Sequence, residues 1–375
     1  WTVGGKAIDF DDSDITIAKE LKRAGYATGL FGKWGLDENV DAGTGHPLKQ
    51  GFDEFWGFRT HLEAHYHWPD YAWHNATKVD LGGPENWKQR QTYADDLFTD
   101  KALDFIDAKA GVKPFFLYLA FSVPHKGISV PEDSQVPYRG LGWPKKHQPS
   151  GHYRNDADSH ISYAGMISRM DGYLDRLRRK LTEKGIAENT LVIFTSDNGH
   201  EYDKDFFDSN GPFSGKKRSV TEGGIRMPTT AVWPTVIKPG SVIEEPLAFW
   251  DVLPTFCDLA GIKPTRKDLD GISFGPALRG DLSAQRSHEY LYWEFNEGSG
   301  PMQAIRVDNW KGIRHWNARQ KGMGALRLYN LAADLPEKNN LAGSHPEVAD
   351  RLTRMLANAR TDHPQFPLTK RRRSK

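Results

Sequence analysis

The apolar run from Leu191 to Thr195 constrains the fold of this chain more than any other segment, because it ends directly in Asp197-Asn198-Gly199. A run of strand length without alternating polar residues is typical of a strand buried on both faces of a parallel sheet. In open α/β sheets, ligands collect beyond the carboxyl ends of such strands. A carboxylate beside an amide oxygen there offers hard oxygen ligands to Ca²⁺ or Mg²⁺. Taken alone, the segment also fits a strand followed by a simple Asx turn.

Helix and strand patterns alternate before this run and shortly after it. Helical spacing predicts helices at 13–24, 93–110 and 161–184, and apolar runs predict buried strands at 26–31, 114–121, 191–195 and 229–233. Ser13 or Asp14 can cap the first helix. In the third helix, the spacing of the apolar residues predicts that Ile167 points inward. Helices that alternate with buried strands predict an α/β fold, a mainly parallel central sheet sandwiched by helices.

The pattern changes near residue 286. Short strand candidates are followed by one helix, at 289–295, 303–307, 310–315, 326–331 and 346–359. This order predicts a small antiparallel sheet with a helix packed on it. We therefore expect a catalytic domain over residues 1–285 and a C-terminal α+β subdomain over 286–375, which closes in a solvated basic tail at 370–375.

Composition excludes some classes of protein. The net charge of +1 over 375 residues argues against a dedicated nucleic-acid binder, and no apolar run reaches the ~18 residues of a membrane span. The single cysteine, Cys257, excludes an internal disulfide. Its helical, apolar surroundings predict a buried residue rather than a reactive thiol.

Candidate functional side chains follow several of the predicted strands. Lys33 follows the strand at 26–31, His125 follows the strand at 114–121, and Lys217 lies in a Gly-rich loop that leads to Glu222. One further loop concentrates titratable residues, namely His61, Glu63, His65 and His67. Cations, a titratable histidine and a metal-type pair at successive strand ends predict a pocket for a tetrahedral, multiply charged anion.

Several ordered motifs resemble those of one enzyme family. They are Gly-Leu-Phe-Gly-Lys-Trp-Gly-Leu at 29–36, Pro-Phe-Phe-Leu-Tyr-Leu-Ala at 114–120, Phe-Thr-Ser-Asp-Asn-Gly at 194–199, and 215–228, which contains Glu-Gly-Gly-Ile-Arg. In these motifs the chain resembles the type I sulfatases of the alkaline phosphatase superfamily, and among them the bacterial arylsulfatase-A-like enzymes. The resemblance covers nearly all of the chain. It implies an alkaline phosphatase-like fold and hydrolysis of sulfate esters of a carbohydrate or an aryl alcohol.

The resemblance also implies a mechanism and its cofactors. Family members use a formylglycine, made from Cys or Ser in a [CS]-x-P-x-R motif, together with Ca²⁺, which we favour over Mg²⁺. By motif match, Asp197 and Asn198 are metal ligands, Lys33 and Lys217 contact the sulfate, and His125 protonates the leaving alcohol. Lys217 is favoured over its neighbour because it stands five residues before Glu222.

Partners and location follow from the same resemblance. We expect a sulfated small molecule or glycan as substrate, and neither a nucleic acid nor a membrane span. A formylglycine-generating or anaerobic maturation enzyme would act on the full-length protein. The resemblance implies a periplasmic or secreted location, although no signal peptide stands in this sequence.

The sequence departs from the family pattern at the nucleophile. It contains no [CS]-x-P-x-R motif, and the Asp11-Asp12 pair precedes a predicted helix instead of ending a buried strand. We expect an N-terminally truncated sulfatase that lacks on the order of 100 residues, with the formylglycine in the absent segment. The chain as given is then expected to be inactive.

A second departure is Gly35, where many sulfatases carry a histidine. The reaction needs a proton acceptor, and a histidine has a suitable pKa of ~6.5. Similar sulfatases show a His-x-x-x-Pro pattern in a nearby loop, which His65 and Pro69 match. We therefore predict that His65 is catalytic. The alternative is a surface histidine packed among aromatic residues.

Two other functions remain open at this point. A phosphatase or phosphonate monoester hydrolase of the same superfamily would share the sheet and the metal pair. A non-catalytic sulfated-glycan-binding protein would need no nucleophile. The Gly-Lys-Trp and Glu-Gly-Gly-Ile-Arg motifs favour a sulfatase over both.

Overall fold

A computed structural model gives the architecture and describes residues 10–11, 13–40, 43–148, 151–297, 300–364 and 366–369. These residues form two compact units. The first unit extends to Leu191 and includes Trp233–Arg286, and the second comprises Val192–Val232 and the chain from Ser287 onward. The segment 192–232 therefore groups with the C-terminal residues in this division.

Helices and strands are interspersed along the chain as far as α9, and five consecutive strands then precede the last helix. The helices are α1 (Ile17–Arg23), α2 (Glu85–Gln89), α3 (Ala94–Lys109), α4 (Glu132–Gln135), α5 (Ser159–Glu183), α6 (Lys204–Phe207), α7 (Glu222–Ile225), α8 (Val252–Leu259), α9 (Gly275–Leu278) and α10 (Pro346–Asn358). The strands are β1 (Ala27–Lys33), β2 (Glu54–Phe58), β3 (Tyr71–His74), β4 (Thr77–Asp80), β5 (Phe115–Ala120), β6 (Val192–Thr195), β7 (Thr229–Val232), β8 (Leu291–Glu297), β9 (Gly300–Val307), β10 (Trp310–Asn317), β11 (Gly322–Met323) and β12 (Arg327–Asn330).

The first unit is built on a five-stranded sheet of order β4-β3-β2-β1-β5. Strand β1 runs parallel to both β2 and β5, whereas β3 is antiparallel to β2 and to β4. The sheet is therefore mixed where the sequence predicted a mainly parallel one. The antiparallel part arises because β3 and β4 are joined by a tight hairpin, a connection open only to antiparallel strands.

Both faces of this sheet are covered, which explains the apolar runs in its strands. The neighbouring residues Leu30 and Phe31 of β1 are both fully buried, although successive side chains of a strand point to opposite faces. Phe31 packs on Phe105 of α3, with ring centroids 5.6 Å apart. Leu30 shares a core cluster with Ala18 of α1. The predicted sandwich of helices around the sheet is confirmed.

The start of α1 differs from the prediction. Its N-cap is Thr16, whose side chain accepts a hydrogen bond of 3.1 Å from Lys19 N, and not Ser13 or Asp14. Asp14 instead accepts a hydrogen bond from Asp11 N in the preceding turn. The inward face predicted for α5 is also partly wrong, because Ile167 is 38% exposed.

The second unit contains the predicted small antiparallel sheet with a helix on it, which is confirmed. Its strand order is β11-β10-β9-β8, with β12 also paired to β10. Leu352 and Leu356 of α10 are buried in a cluster with Ile305 and Leu328 of the sheet. The apolar face of the amphipathic helix α10 thus covers one face of the sheet.

Strand β6 also lies in the second unit. In the described part of the chain it pairs with β7 alone, and the pairing is antiparallel. Its residues are only partly buried. The prediction of a strand is confirmed, but its parallel pairing and burial on both faces are not found among these residues.

Some segments named above lie outside the described residues, namely Asp12 and the basic tail at 370–375. None of the helices in the described ranges has both the length and the apolar character that crossing a membrane requires.

Candidate active site

Three strands of the first unit end at the same edge of the sheet. Strand β1 ends at Lys33, β2 at Phe58 and β5 at Ala120, and all three run in parallel. The segments that follow them therefore start side by side. Gly32 allows this close approach, since it has φ +111° and an added Cβ would lie only 2.0 Å from Ala120 O.

Lys33 and His61 flank Gly35 at this edge. A Cβ added at Gly35 would lie 3.4 Å from Lys33 Cε and 3.9 Å from His61 Nδ1. His61 is exposed, and its backbone N–H donates to Glu38 Oε1 at 2.6 Å. The absence of a side chain at Gly35 thus leaves an imidazole from the following loop beside the lysine.

Three histidines surround His65. Its ring stacks on that of His125, with centroids 4.9 Å apart and an interplanar angle of 6°. His61 meets it edge-on at 4.9 Å. His152 Nε2 lies 2.8 Å from His65 Nδ1, a hydrogen bond between two imidazoles. Tyr153 packs on the cluster, 4.9 Å from the His65 ring.

Glu63 holds the loop that carries these histidines. Its Oε2 accepts hydrogen bonds from Arg59 N at 2.8 Å and Thr60 N at 3.0 Å. Its Oε1 accepts from Tyr71 Oη at 2.9 Å and Trp73 Nε1 at 3.0 Å. Burial and the Glu63 carboxylate raise the pKa of Tyr71 to about 12, which keeps the phenol protonated as a donor. Glu63 is therefore a structural clamp between the loop and β3.

His125 is held through its backbone. Asp95, fully buried in α3, accepts hydrogen bonds from Ser122 N at 2.8 Å and Ser122 Oγ at 2.7 Å. The buried His67 places Nε2 3.3 Å from the carbonyl oxygen of His125 and Nδ1 3.8 Å from Asp95 Oδ2. His67 thus supports the turn that presents His125 and has a buried, structural position.

The predicted metal ligands follow β6 in the second unit. Asp197 is exposed and Asn198 is partly buried. Their loop is pinned by Gly199, whose N–H donates to Gly224 O at 2.9 Å. A Cβ added at Gly199 would lie 1.9 Å from Gly223 O, so only glycine permits this contact.

Lys217 lies in the neighbouring loop. Its backbone N–H donates to His200 O at 2.8 Å, and His200 Nε2 lies 3.3 Å from Gly215 O. Lys217 is partly buried, whereas Lys216 is exposed. The loops that carry Asp197, Asn198 and Lys217 are therefore fastened to one another within the second unit.

A buried cluster of charged side chains anchors the loop that carries Lys217. Lys311 Nζ lies 2.7 Å from Glu222 Oε1 and 2.9 Å from Glu337 Oε1. Glu337 also accepts a hydrogen bond of 2.7 Å from Glu222 N. Glu222 follows the Lys217 loop in sequence, so the Glu-Gly-Gly motif ties that loop to strand β10.

Asp197 and Asn198 supply part of the ligand set that a divalent cation requires. No hydrogen bond or ion pair within residues 151–297 or the other described ranges engages the Asp197 carboxylate or the Asn198 amide, and both carry hard oxygen atoms. Ca²⁺ prefers 6–8 oxygen ligands. Among the described residues, no group of three or more His, Cys, Asp or Glu could hold a metal ion. Asp197 and Asn198 can therefore serve only as part of a larger ligand set.

Cys257 does not fit the position of a formylglycine precursor. It is 1% exposed in the interior of α8, and burial raises the pKa of its thiol to about 11. A thiol of this kind is inert. This agrees with its interpretation as a buried apolar residue.

In the first unit, His65 stacks on His125, and Lys33 lies beside Gly35 together with His61. In the second unit, Asp197, Asn198 and Lys217 lie on loops that are hydrogen-bonded to each other. Sequence reasoning missed His152 and Tyr153. They enter the histidine cluster from a loop before α5, far from any strand end, and no motif marks them.

Comparison with known proteins identifies relatives over most of the chain. The Sulfatase family model matches residues 9–262, and a second model, N-sulphoglucosamine sulphohydrolase, C-terminal, matches residues 212–362. An arylsulfatase of Hemicentrotus pulcherrimus is 32% identical over 83% of this chain and 53% of its own length. The Homo sapiens N-acetylgalactosamine-6-sulfatase is 30% identical over 92% of this chain and 67% of its own length.

A solved structure shares the fold. It is described as a complex with its substrate D-glucosamine-2-N,6-O-disulfate, with a TM-score of 0.71, 21% identity, and coverage of 94% of this chain and 83% of its own. The chain spans about half to two thirds of the length of the first two relatives. With a family model matching well over half of its residues, this chain belongs to the sulfatase family.

Proposed function

We propose that the protein to which this chain belongs hydrolyses sulfate esters of a carbohydrate or an aryl alcohol by a formylglycine mechanism. The observation that carries the proposal is the stacking of His65 on His125 beyond the parallel strands β1, β2 and β5, with Lys33 at the end of β1. Enzymes of the sulfatase family generally use a formylglycine and a divalent metal. A bound Ca²⁺ would polarise the sulfate oxygens, and the formylglycine would supply the nucleophile.

In the first unit, the proposed roles follow from charge and proton chemistry. The Lys33 ammonium neutralises negative charge that develops on the sulfate oxygens in the transition state. His125 donates a proton to the leaving alcohol oxygen, which would otherwise depart as an unstable alkoxide. His65 stacks on His125 and acts as a general base, accepting a proton after the alcohol has left.

In the second unit, Asp197 and Asn198 hold the metal ion and Lys217 binds the sulfate. Lys217 is favoured over Lys216 because it is partly buried and its backbone is fastened to His200. Partial burial of Lys217 lowers the effective dielectric constant around its side chain, which strengthens the attraction of its charge to an anion.

The relatives guide the proposed substrate and partners. One is named for N-acetylgalactosamine-6-sulfate hydrolysis, and the solved structure holds a sulfated glucosamine. We therefore favour a sulfated sugar over an aryl sulfate. A formylglycine-generating or anaerobic maturation enzyme is the proposed partner of the whole protein, and a periplasmic or secreted location is the proposed compartment.

A matched pair of lysine variants tests the proposal. The protein is produced from the longest reading frame that contains this chain, and sulfate release is measured from N-acetylgalactosamine 6-sulfate and 4-nitrophenyl sulfate. Lys217→Ala should lower kcat/KM by about 10²-fold or more, while Lys216→Ala should change it by less than about 3-fold.

Either of two results would contradict the proposal and favour another function. Faster turnover of the matching phosphate ester would make the protein a phosphatase or phosphonate monoester hydrolase. Binding of sulfated sugars without any turnover would make it a sulfated-glycan-binding protein.

A further inference from the structure

We propose that His152 is a positioning residue that fixes the tautomer of His65 and so prepares its Nε2 atom to accept a proton. The proposal rests on the proposed function, in which His65 is the proton acceptor. It starts from one contact, the 2.8 Å between His65 Nδ1 and His152 Nε2.

A hydrogen bond between two imidazoles requires one donor and one acceptor nitrogen. If His65 Nδ1 carries the proton and donates it to His152 Nε2, the lone pair of His65 remains on Nε2. That tautomer can accept a proton, whereas the opposite tautomer presents an N–H at Nε2 and cannot. A hydrogen bond at one ring nitrogen of a histidine thus determines whether the other ring nitrogen can accept a proton.

The surroundings of the pair favour this direction. His65 is 7% exposed, whereas His152 is exposed, so the second nitrogen of His152 can keep its own proton in contact with water. The titratable groups that face the His65 ring include His61, His125, His152 and Tyr153. When His65 Nε2 gains a proton, the positive charge that results is shared through the hydrogen bond with His152.

The cluster also restrains the two rings. Tyr153 packs on His152 with ring centroids 4.1 Å apart and on His65 at 4.9 Å. His125 stacks on His65 within 6° of parallel. With neighbours on several sides, the His65 ring has little freedom to flip, so the partner at Nδ1 controls its protonation pattern.

Two variants of His152 separate hydrogen bonding from packing. His152→Phe keeps an aromatic ring against Tyr153 and removes the hydrogen bond. His152→Gln removes the ring but can still accept a hydrogen bond from His65 Nδ1. His147→Phe is the matched control, because His147 is an exposed histidine of the same region.

The first measurement is NMR of the 375-residue chain with ¹⁵N-labelled histidine. Correlations between ring protons and nitrogens report the tautomer of each histidine, with the His65 signals assigned through His65→Gln. We expect His65 in the wild type and in His152→Gln to be in the tautomer protonated at Nδ1, and a mixture in His152→Phe. Unchanged His65 signals in His152→Phe, or a wild-type His65 protonated at Nε2, would overturn the proposal.

The second measurement is the kinetics of sulfate release by the full-length enzyme. His152→Phe should lower kcat about 10-fold or more, because only part of the population then holds the productive tautomer, while KM stays within about 2-fold of the wild-type value. The acidic limb of the pH–rate profile should shift, and His152→Gln should restore most of the lost activity. A full-length protein that hydrolyses no sulfate ester refutes the proposed function alone, since the tautomer measurement still decides the role of His152.

Discussion

The Lys311 ammonium lies 2.7 Å from Glu222 Oε1, with both side chains almost completely removed from solvent. Breaking a buried pair by removing one partner leaves an uncompensated charge in the interior. Lys311→Met should therefore lower the free energy of unfolding by about 3–5 kcal/mol, measured by chemical denaturation. The exposed Lys338 is the control, and Lys338→Met should stay within about 0.5 kcal/mol of the wild type. Equal effects from both would contradict the structural role of the cluster.

The same cluster predicts how stability responds to acid. Burial alone would raise the pKa of Glu222, but the Lys311 ammonium lowers it overall below 4.5. A carboxyl with a depressed folded-state pKa contributes stability above its unfolded pKa and loses it as the pH falls through the folded one. Burial raises the pKa of Glu337, so its contribution has the opposite sign and falls as the pH rises.

Glu222→Gln should therefore flatten the dependence of unfolding free energy on pH below about pH 5. The measurement is a series of denaturation curves across this range for the wild type and the variant. An unchanged slope would mean that Glu222 does not titrate as its surroundings imply.

Much of the fold could be predicted from sequence because local patterns determine it. Strands β1 and β5 were evident as apolar runs, and the ends of these strands located Lys33 and His125. The prediction that both are buried holds for β1 only, because β5 is mostly half-buried and its Tyr118 is 46% exposed. The partner of a strand is set by distant residues instead, which is why the antiparallel pairing of β6 with β7 was not predicted.

The candidate site shows the same division. His65 was predicted from a loop pattern that resembles a family motif. Its hydrogen bond to His152 joins residues 87 positions apart in the sequence and depends on how the loop before α5 folds back. Glu63 was conspicuous among the histidines, but only the structure shows that its carboxylate binds two backbone N–H groups and two side chains of β3.

Glu63→Gln should destabilise the loop that carries His61 and His65. An amide offers one acceptor oxygen where the carboxylate offers two, so two charge-assisted hydrogen bonds are lost. The free energy of unfolding should fall by about 3 kcal/mol or more, as measured by urea denaturation. Glu85→Gln, at an exposed glutamate of α2, should have little effect. A Glu63→Gln variant as stable as the wild type would contradict the structural role of Glu63 in holding this loop.

Metal binding tests Asp197 and Asn198. With only part of a 6–8 oxygen ligand set, the 375-residue chain should bind Ca²⁺ weakly in calorimetry, and Asp197→Ala should abolish what binding remains. Asp205→Ala is the control, because Asp205 is an exposed aspartate of α6. Tight Ca²⁺ binding that Asp197→Ala leaves unchanged would exclude the assignment.

The three histidines of the loop after β2 should differ in their effects. In the full-length enzyme, His65→Ala should lower kcat by ~10²-fold or more, the usual consequence of losing an acid–base group. His61→Ala should reduce it much less. His67→Ala should also reduce it less and act mainly on stability, because His67 is buried against the His125 turn. Equal and mild effects from all three would place the proton acceptor elsewhere.

The central claim is that the side chains of this chain serve sulfate ester hydrolysis, and one comparison tests it most directly. Sulfate and phosphate release are measured from matched esters of N-acetylgalactosamine, with the full-length enzyme, its His125→Ala variant and the 375-residue chain. We predict sulfate turnover by the full-length enzyme, a loss of about 10²-fold or more in His125→Ala, and no turnover by the 375-residue chain. Preferential release of phosphate, or sulfate turnover that His125→Ala leaves unchanged, would contradict the account.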